Sequence, residues 1–187
     1  MFCAVELPEG IRTRIEKHIE RVREATPDSQ CGWTRVSNIH LTLKFFGNVE
    51  VSRVNRITDA LSRAVDGVSQ LKVSIGGTGA FPNNRQPRVL WIGVNDSSGE
   101  LERLHKCIEE ECAKKGFEKE SRAYRPHLTL TRIRNPKGAR ALAEANQRFG
   151  FEPVEMHVGE VLLFRSELSS KGSKYTVVSR HKLSDML

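Results

Sequence analysis

His40-Leu41-Thr42-Leu43 recurs letter for letter as His127-Leu128-Thr129-Leu130, and the reading of that repeat decides the fold. Each copy lies in an alternating apolar run, Ile39 to Phe45 and Pro126 to Ile133. Period-two alternation is the mark of a strand with one buried face. Side chains two apart share a face, so within each copy the imidazole and the hydroxyl project together, about 6.6 Å apart at ~3.3 Å per residue. The leucines project the other way, towards a core.

Two such strands facing one another would gather two histidines and two threonines around one small cavity. Imidazoles exchange protons near neutral pH and hydroxyls hydrogen-bond phosphoryl oxygens, so the cavity suits a phosphate. A lone His-x-Thr-x is more often an ordinary polar strand face; the recurrence is what argues for chemistry. The residues ahead of the two copies, Ser37-Asn38-Ile39 and Tyr124-Arg125-Pro126, are unlike, which reads as an old duplicated half.

These motifs and their surroundings resemble the RNA 2',3'-cyclic phosphodiesterases, or 2'-5' RNA ligase-like proteins, of the two-histidine phosphoesterase superfamily. The resemblance runs from Met1-Phe2-Cys3-Ala4-Val5-Glu6-Leu7-Pro8 through Trp33-Thr34-Arg35 and His40 to Gly47. It continues over Pro87 to Val94 and Arg125 to Arg132, and closes with Leu163-Phe164-Arg165-Ser166 and Lys174-Tyr175. It implies an α+β fold of two pseudo-symmetric lobes, each an antiparallel sheet flanked by helices, with a central cleft carrying one motif per lobe. Residues 1–187 are expected to form a single two-lobed phosphodiesterase domain.

The same resemblance implies hydrolysis of RNA 2',3'-cyclic phosphate ends to 2'-phosphate ends, with His40 as proton donor and His127 as proton acceptor. Such a reaction needs one group to take a proton from water and another to give one to the leaving oxygen, which two imidazoles of ordinary pKa ~6.5 can do without cofactor or metal. Thr42 and Thr129 would bind phosphoryl oxygens as charge builds. The alternatives are reversible 2'-5' ligation of RNA or tRNA halves, and a non-catalytic RNA-binding module, which Lys or Arg would serve as well as histidine.

Phe45 and Arg132 stand five residues past each histidine, where the resemblance implies an aromatic surface for a base and a cation near the phosphate. Strict alternation puts both on the leucine side, so a bulge or strand end must intervene for them to reach the cleft. Arg125, two before His127, has the parity to face it. Tyr175 and Ser166 are weaker candidates.

Lys and Arg number 30 against 23 Asp and Glu, a net charge of +7, which favours an anionic partner. The basic residues are scattered, so most read as solvated helix faces. Expected partners are RNA with a cyclic phosphate end and nucleotides, not a membrane, and the chain is expected to act as a monomer. Cys3, Cys31, Cys107 and Cys112 show no Cys-x-x-Cys or zinc-finger spacing and read as free thiols rather than metal ligands. With no apolar leader and no run of 18 apolar residues, a soluble, cytoplasmic protein is expected.

Helical spacing marks four helices, through Ile11, Ile15, Ile19 and Val22; Val51, Val54, Ile57, Leu61 and Val65; Leu101, Leu104 and Ile108; and Ala139, Leu142, Ala145 and Phe149. Further strands are expected at Phe2–Leu7, Leu71–Ile75, Val89–Val94, Val154–Val158, Val161–Phe164 and Tyr175–Val178. Gly76-Gly77-Thr78-Gly79 lacks a following Gly-Lys-Ser/Thr and reads as a loop before Phe81. Pro82 to Pro87 is the clearest loop, and of the two roles open to its Arg85, facing solvent or reaching RNA, the first is the preferred reading. His18, His105, His157 and His181 have no threonine partner and read as structural or exposed, the helical His18 and His105 as surface groups; Trp33 and Trp91 are expected in the core.

Overall fold

The computed structural model describes residues 1–29, 31–169 and 172–185. In chain order it holds β1 (Phe2–Glu6), α1 (Glu9–Glu24), β2 (Gly32–Trp33), β3 (His40–Phe45), α2 (Val54–Val65), β4 (Leu71–Phe81), β5 (Val89–Asn95) and α3 (Glu100–Lys114). Then come β6 (His127–Arg132), α4 (Ala139–Phe149), β7 (Val154–Val158), β8 (Glu160–Ser169) and β9 (Gly172–Lys182). Both repeated tetrapeptides are strands, and four helices follow the expected apolar stripes.

Each helix forms because its apolar residues recur every three or four positions and can be buried together. Ile11, Ile15, Ile19 and Val22 are buried on α1, Ile57, Leu61 and Val65 on α2, Leu101, Leu104 and Ile108 on α3, and Ala139, Leu142 and Ala145 on α4. Val51 departs from its expected place: it lies in a single 3-10 turn ahead of α2 and is 88% exposed. At three residues per turn that segment is out of phase with the α-helical stripe.

The strands run antiparallel in the order β7-β4-β5-β6-β3-β1-β8-β9, with β2 also on β6. Two halves of four strands, each ending on its motif strand, are thus set edge to edge. They join at one paired position, Leu41 opposite Leu128. All four motif leucines are buried in one core with the apolar faces of the helices, α2 packing on α3 and α1 on α4. Burying a leucine is worth roughly 1.5–3 kcal/mol, so the seam holds a substantial share of the fold. A second, small cluster of Phe2, Ala4, Leu162 and Phe164 lies on the opposite face, with His and Thr.

The glycine run is not a loop. β4 continues through it with a register slip between Ile75 and Thr78, and Gly77 adopts φ +69°, a left-handed conformation that glycine takes without a side-chain clash. The expected loop follows, with Arg85 exposed.

Candidate active site

The seam register sets the site. Around the antiparallel pair Leu41–Leu128, His40 falls across from Thr129 and Thr42 across from His127, on the face away from the core. Cross-strand neighbours on one face lie about 4.5–5.5 Å apart at Cβ. The fold therefore brings all four motif side chains to one place, each histidine beside the other copy's threonine.

Both strands then slip by one residue at the same point. On β3, Cys3 pairs with Lys44 but Ala4 with Thr42, so Leu43 is the extra residue. On β6, Leu90 pairs with Thr131 but Trp91 with Thr129, so Leu130 is the extra one. The two strands share one burial pattern: half-buried His and Thr, buried leucines, a buried residue after the second leucine and an exposed last residue. The slip reverses the alternation beyond it. Lys44 and Thr131 turn into the core, while Phe45, opposite Phe2, and Arg132, opposite Val89, return to the histidine face. Phe45 is 62% exposed there; Arg125 is exposed too.

Each histidine is held alike. His40 Nδ1 lies 2.7 Å from the Asn38 carbonyl oxygen and His127 Nδ1 2.6 Å from that of Arg125. A carbonyl only accepts, so each Nδ1 carries the proton and donates it, and the neutral ring presents a free lone pair at Nε2. Among the described residues neither Nε2 is hydrogen-bonded. Burial pushes the His40 imidazole down to about 4; the Asn38 carbonyl works against this shift and the charge of Arg12 adds to it. His127 is lowered too, by burial first, with the Arg125 carbonyl opposing and Arg132 assisting.

Aromatic rings supply much of that burial. Phe2 stacks on His40 with centroids 4.5 Å apart, and Tyr175 meets it edge-on at 5.5 Å. Phe164 stacks on Phe2 at 5.2 Å. Across the cleft, Phe81 sits edge-on to His127 at 5.0 Å. Trp91, expected in the core, is half-buried on the histidine face opposite Thr129. Its ring lies over Gly79, where a Cβ would come within 2.3 Å. Trp33 packs against the core as expected. Ser166, paired with Tyr175, is exposed.

Several contributors carried no sequence signal of their own. Lys44, the residue turned inward by the slip, bonds Glu109 Oε2 at 2.7 Å and the Glu118 carbonyl at 2.7 Å. The same Glu109 oxygen accepts the Glu120 N–H at 3.0 Å, and Tyr124 donates to the Thr42 carbonyl at 3.3 Å while stacking on His105. The first motif is thus tied to the segment leading into the second. Arg12 donates to the carbonyls of Leu7 and Ser37 beside His40. Only a fold, not a spacing, brings these residues to the motifs.

The other histidines divide. His157 is exposed, whereas His18, His105 and His181 are buried, which corrects the surface reading of His18 and His105. His18 lies inside because Asn146 Oδ1, 2.8 Å away, satisfies its ring nitrogen, and His105 because it stacks on Tyr124. The four cysteines are unpaired. Among the described residues no three His, Cys, Asp or Glu side chains converge, and no helix is long and apolar enough to cross a membrane.

The sequence profile of the 2'-5' RNA ligase superfamily matches residues 11–169. The chain is 37% identical over 176 residues to the RNA 2',3'-cyclic phosphodiesterase of Methanothermobacter thermautotrophicus, covering 94% of each chain. It is 34% identical to that of Archaeoglobus fulgidus, over 94% of this chain and 95% of the other. Among solved structures, TT0787 of Thermus thermophilus superposes with a TM-score of 0.78 at 26% identity, covering 98% of this chain and 97% of that one. E. coli LigT complexed with 3'-AMP gives 0.74 at 24% identity, covering 97% and 96%. With its duplicated motif strands, their shared slip and a family match over most of its length, the chain belongs to the 2'-5' RNA ligase superfamily.

Proposed function

We propose that this chain hydrolyses RNA 2',3'-cyclic phosphate ends to 2'-phosphate ends, without a metal, by acid/base catalysis between His40 and His127. The observation that carries the reading is the symmetric pair of imidazoles, each donating Nδ1–H to the carbonyl two residues before it and, among the described residues, leaving Nε2 unbonded on the cleft face. One ring free to accept a proton at Nε2 and a second able to carry one there, beside two hydroxyls, are what an in-line attack on a cyclic phosphate requires.

In the forward step His127 Nε2 takes a proton from the attacking water. The phosphorus–O3' bond breaks as the new phosphorus–oxygen bond forms, and His40, protonated at Nε2, gives its proton to O3'. An anionic phosphoryl group beside His40 favours its charged form, offsetting the burial that otherwise keeps the ring neutral. Thr42 and Thr129 donate to the non-bridging oxygens, Arg132 balances their charge, Arg125 adds a second cation, and Phe45 offers a face to the terminal base. Acid and base are each worth ~10²–10⁴-fold. The relatives' activity supports this substrate, and the 3'-AMP held by E. coli LigT is in keeping with a terminal nucleotide. The superfamily's name favours a second reading, 2'-5' joining, in which the same imidazoles act in reverse with a 5'-hydroxyl replacing water.

Incubation of a 5'-labelled RNA bearing a 2',3'-cyclic phosphate, in EDTA, tests the proposal. The expected product resists a 3'-phosphate-specific phosphatase and carries a 2'-phosphate by phosphorus NMR. A 3'-phosphate product, or activity lost in EDTA and restored by zinc or magnesium, would overturn it.

A further inference from the structure

We infer that the RNA strand upstream of the reacting end leaves the cleft across the end of the sheet formed by the β4–β5 and β6–α4 loops, on a cationic surface of Arg85, Arg88, Arg134 and Lys137. The inference rests on the cyclic phosphodiesterase reading and adds to it the path of the polymer.

Charge along the chain is uneven in a way that only the fold makes meaningful. Residues 67–95 and 121–143 contain no Asp or Glu. The structure lays these two acid-free stretches side by side. Val89 pairs with Arg132, and the Arg88 carbonyl accepts the Ile133 N–H at 2.8 Å, so Arg88, Arg132 and Arg134 stand on adjoining strand ends. Arg88 N–H closes the β4–β5 loop on the Phe81 carbonyl at 2.7 Å. Asn83 Oδ1 accepts from the Arg85 and Gln86 amides, and Asn84 reaches Gln147 on α4 at 2.7 Å. Lys137 lies in the next loop, its amide bonded to Asn135 Oδ1.

All four cations are exposed. Lys72, Arg122 and Arg140, in the same two stretches of sequence, each meet a carboxylate, but among the described residues Arg85, Arg88, Arg134 and Lys137 do not. Exposed cations within a Debye length of ~8–10 Å reinforce one another's field. The surface is continuous with the site, since the loop begins at Phe81, which touches His127, and Arg132 shares the histidine face. A 3'-terminal cyclic phosphate has its polymer on the 5' side only, so one strip of phosphates must leave the cleft, and this rim meets it with four exposed cations that, among the described residues, are not paired with a carboxylate.

The test compares wild type with the variant Arg85→Gln, Arg88→Gln, Arg134→Gln, Lys137→Gln. A control removes four exposed cations elsewhere: Arg56→Gln, Arg63→Gln, Arg103→Gln, Lys119→Gln. Binding of a single-stranded RNA ten-mer ending in a 2'-phosphate is measured by fluorescence anisotropy from low to high salt, and KM is measured for a cyclic-phosphate ten-mer and a mononucleoside 2',3'-cyclic phosphate. Each phosphate contact in single strands contributes a salt slope of about −0.7, so the rim variant is expected to flatten the slope by up to ~3. Its KM for the ten-mer should rise at least ~10-fold relative to that for the mononucleotide. An unchanged slope, an equal flattening by the control set, or an equal loss on both substrates would overturn the inference. Failure of the catalytic reading is distinct: wild type would then turn over neither substrate, while the anisotropy slopes would still judge the surface.

Discussion

Each motif imidazole is defined by a proton it cannot easily lose and a lone pair it has not used. The Nδ1 bonds to Asn38 and Arg125 fix the tautomer, and aromatic burial keeps the rings neutral. The kcat/KM profile reports the free protein's groups and kcat those of the complex. With His40 near 4 and His127 also below 6.5, kcat/KM should peak and turn down below pH 6.5. The alkaline limb of kcat should lie higher, because bound phosphate favours the charged acid. A flat kcat/KM between pH 6 and 8, measured on a cyclic-phosphate substrate, would contradict this. At this scale the motif was legible: both histidines and both threonines stand on one face, as their spacing implies. Phe2, Phe81 and Arg12 were not, because their nearness to the rings comes from pairing between strands far apart in the chain.

Between the residue and the fold stands one shared device, the single-residue slip after the second leucine of each motif. Alternation alone would send Phe45 and Arg132 into the core, and the repeat gives no hint of where it fails. What holds the slip is different in the two copies. Thr131 donates to the Gly32 carbonyl at 2.9 Å, whereas Lys44 is buried against Glu109. Removing one partner of a buried ion pair costs ~3–5 kcal/mol, while replacing both with apolar groups is often near neutral. Glu109→Leu should therefore lower stability to denaturant by about that much, and Lys44→Met with Glu109→Leu should recover most of it. Equal stability of the two variants would mean that the pair does not act as a unit. The helices were legible because burial of one stripe sets their period. The Gly76–Gly79 segment was not, since glycine marks a loop and a bulged strand alike.

The whole molecule is two four-stranded halves meeting at one leucine pair, and its surface charge and titration follow from that arrangement. The cationic rim was illegible as a patch because its residues are scattered along the chain. Five of the six histidines, His18, His40, His105, His127 and His181, are lowered below 6.5, in each case chiefly by burial. A base with a depressed folded pKa stabilises the fold fully above its unfolded value and loses that contribution as pH falls. Thermal stability should accordingly be level above about pH 6.5 and decline as the pH drops towards 4; a rise over that interval would contradict the buried, neutral assignment. The central claim, that the two halves supply one acid and one base to a single reaction, is tested most directly by turnover of a cyclic-phosphate RNA with His40→Ala, His127→Ala and the double variant. Each single change should lower kcat by ~10²–10⁴-fold, and the double variant should be little worse than either, because groups acting as a unit are non-additive. Losses that simply multiply would show two independent contributions, and the shared-reaction account would fail.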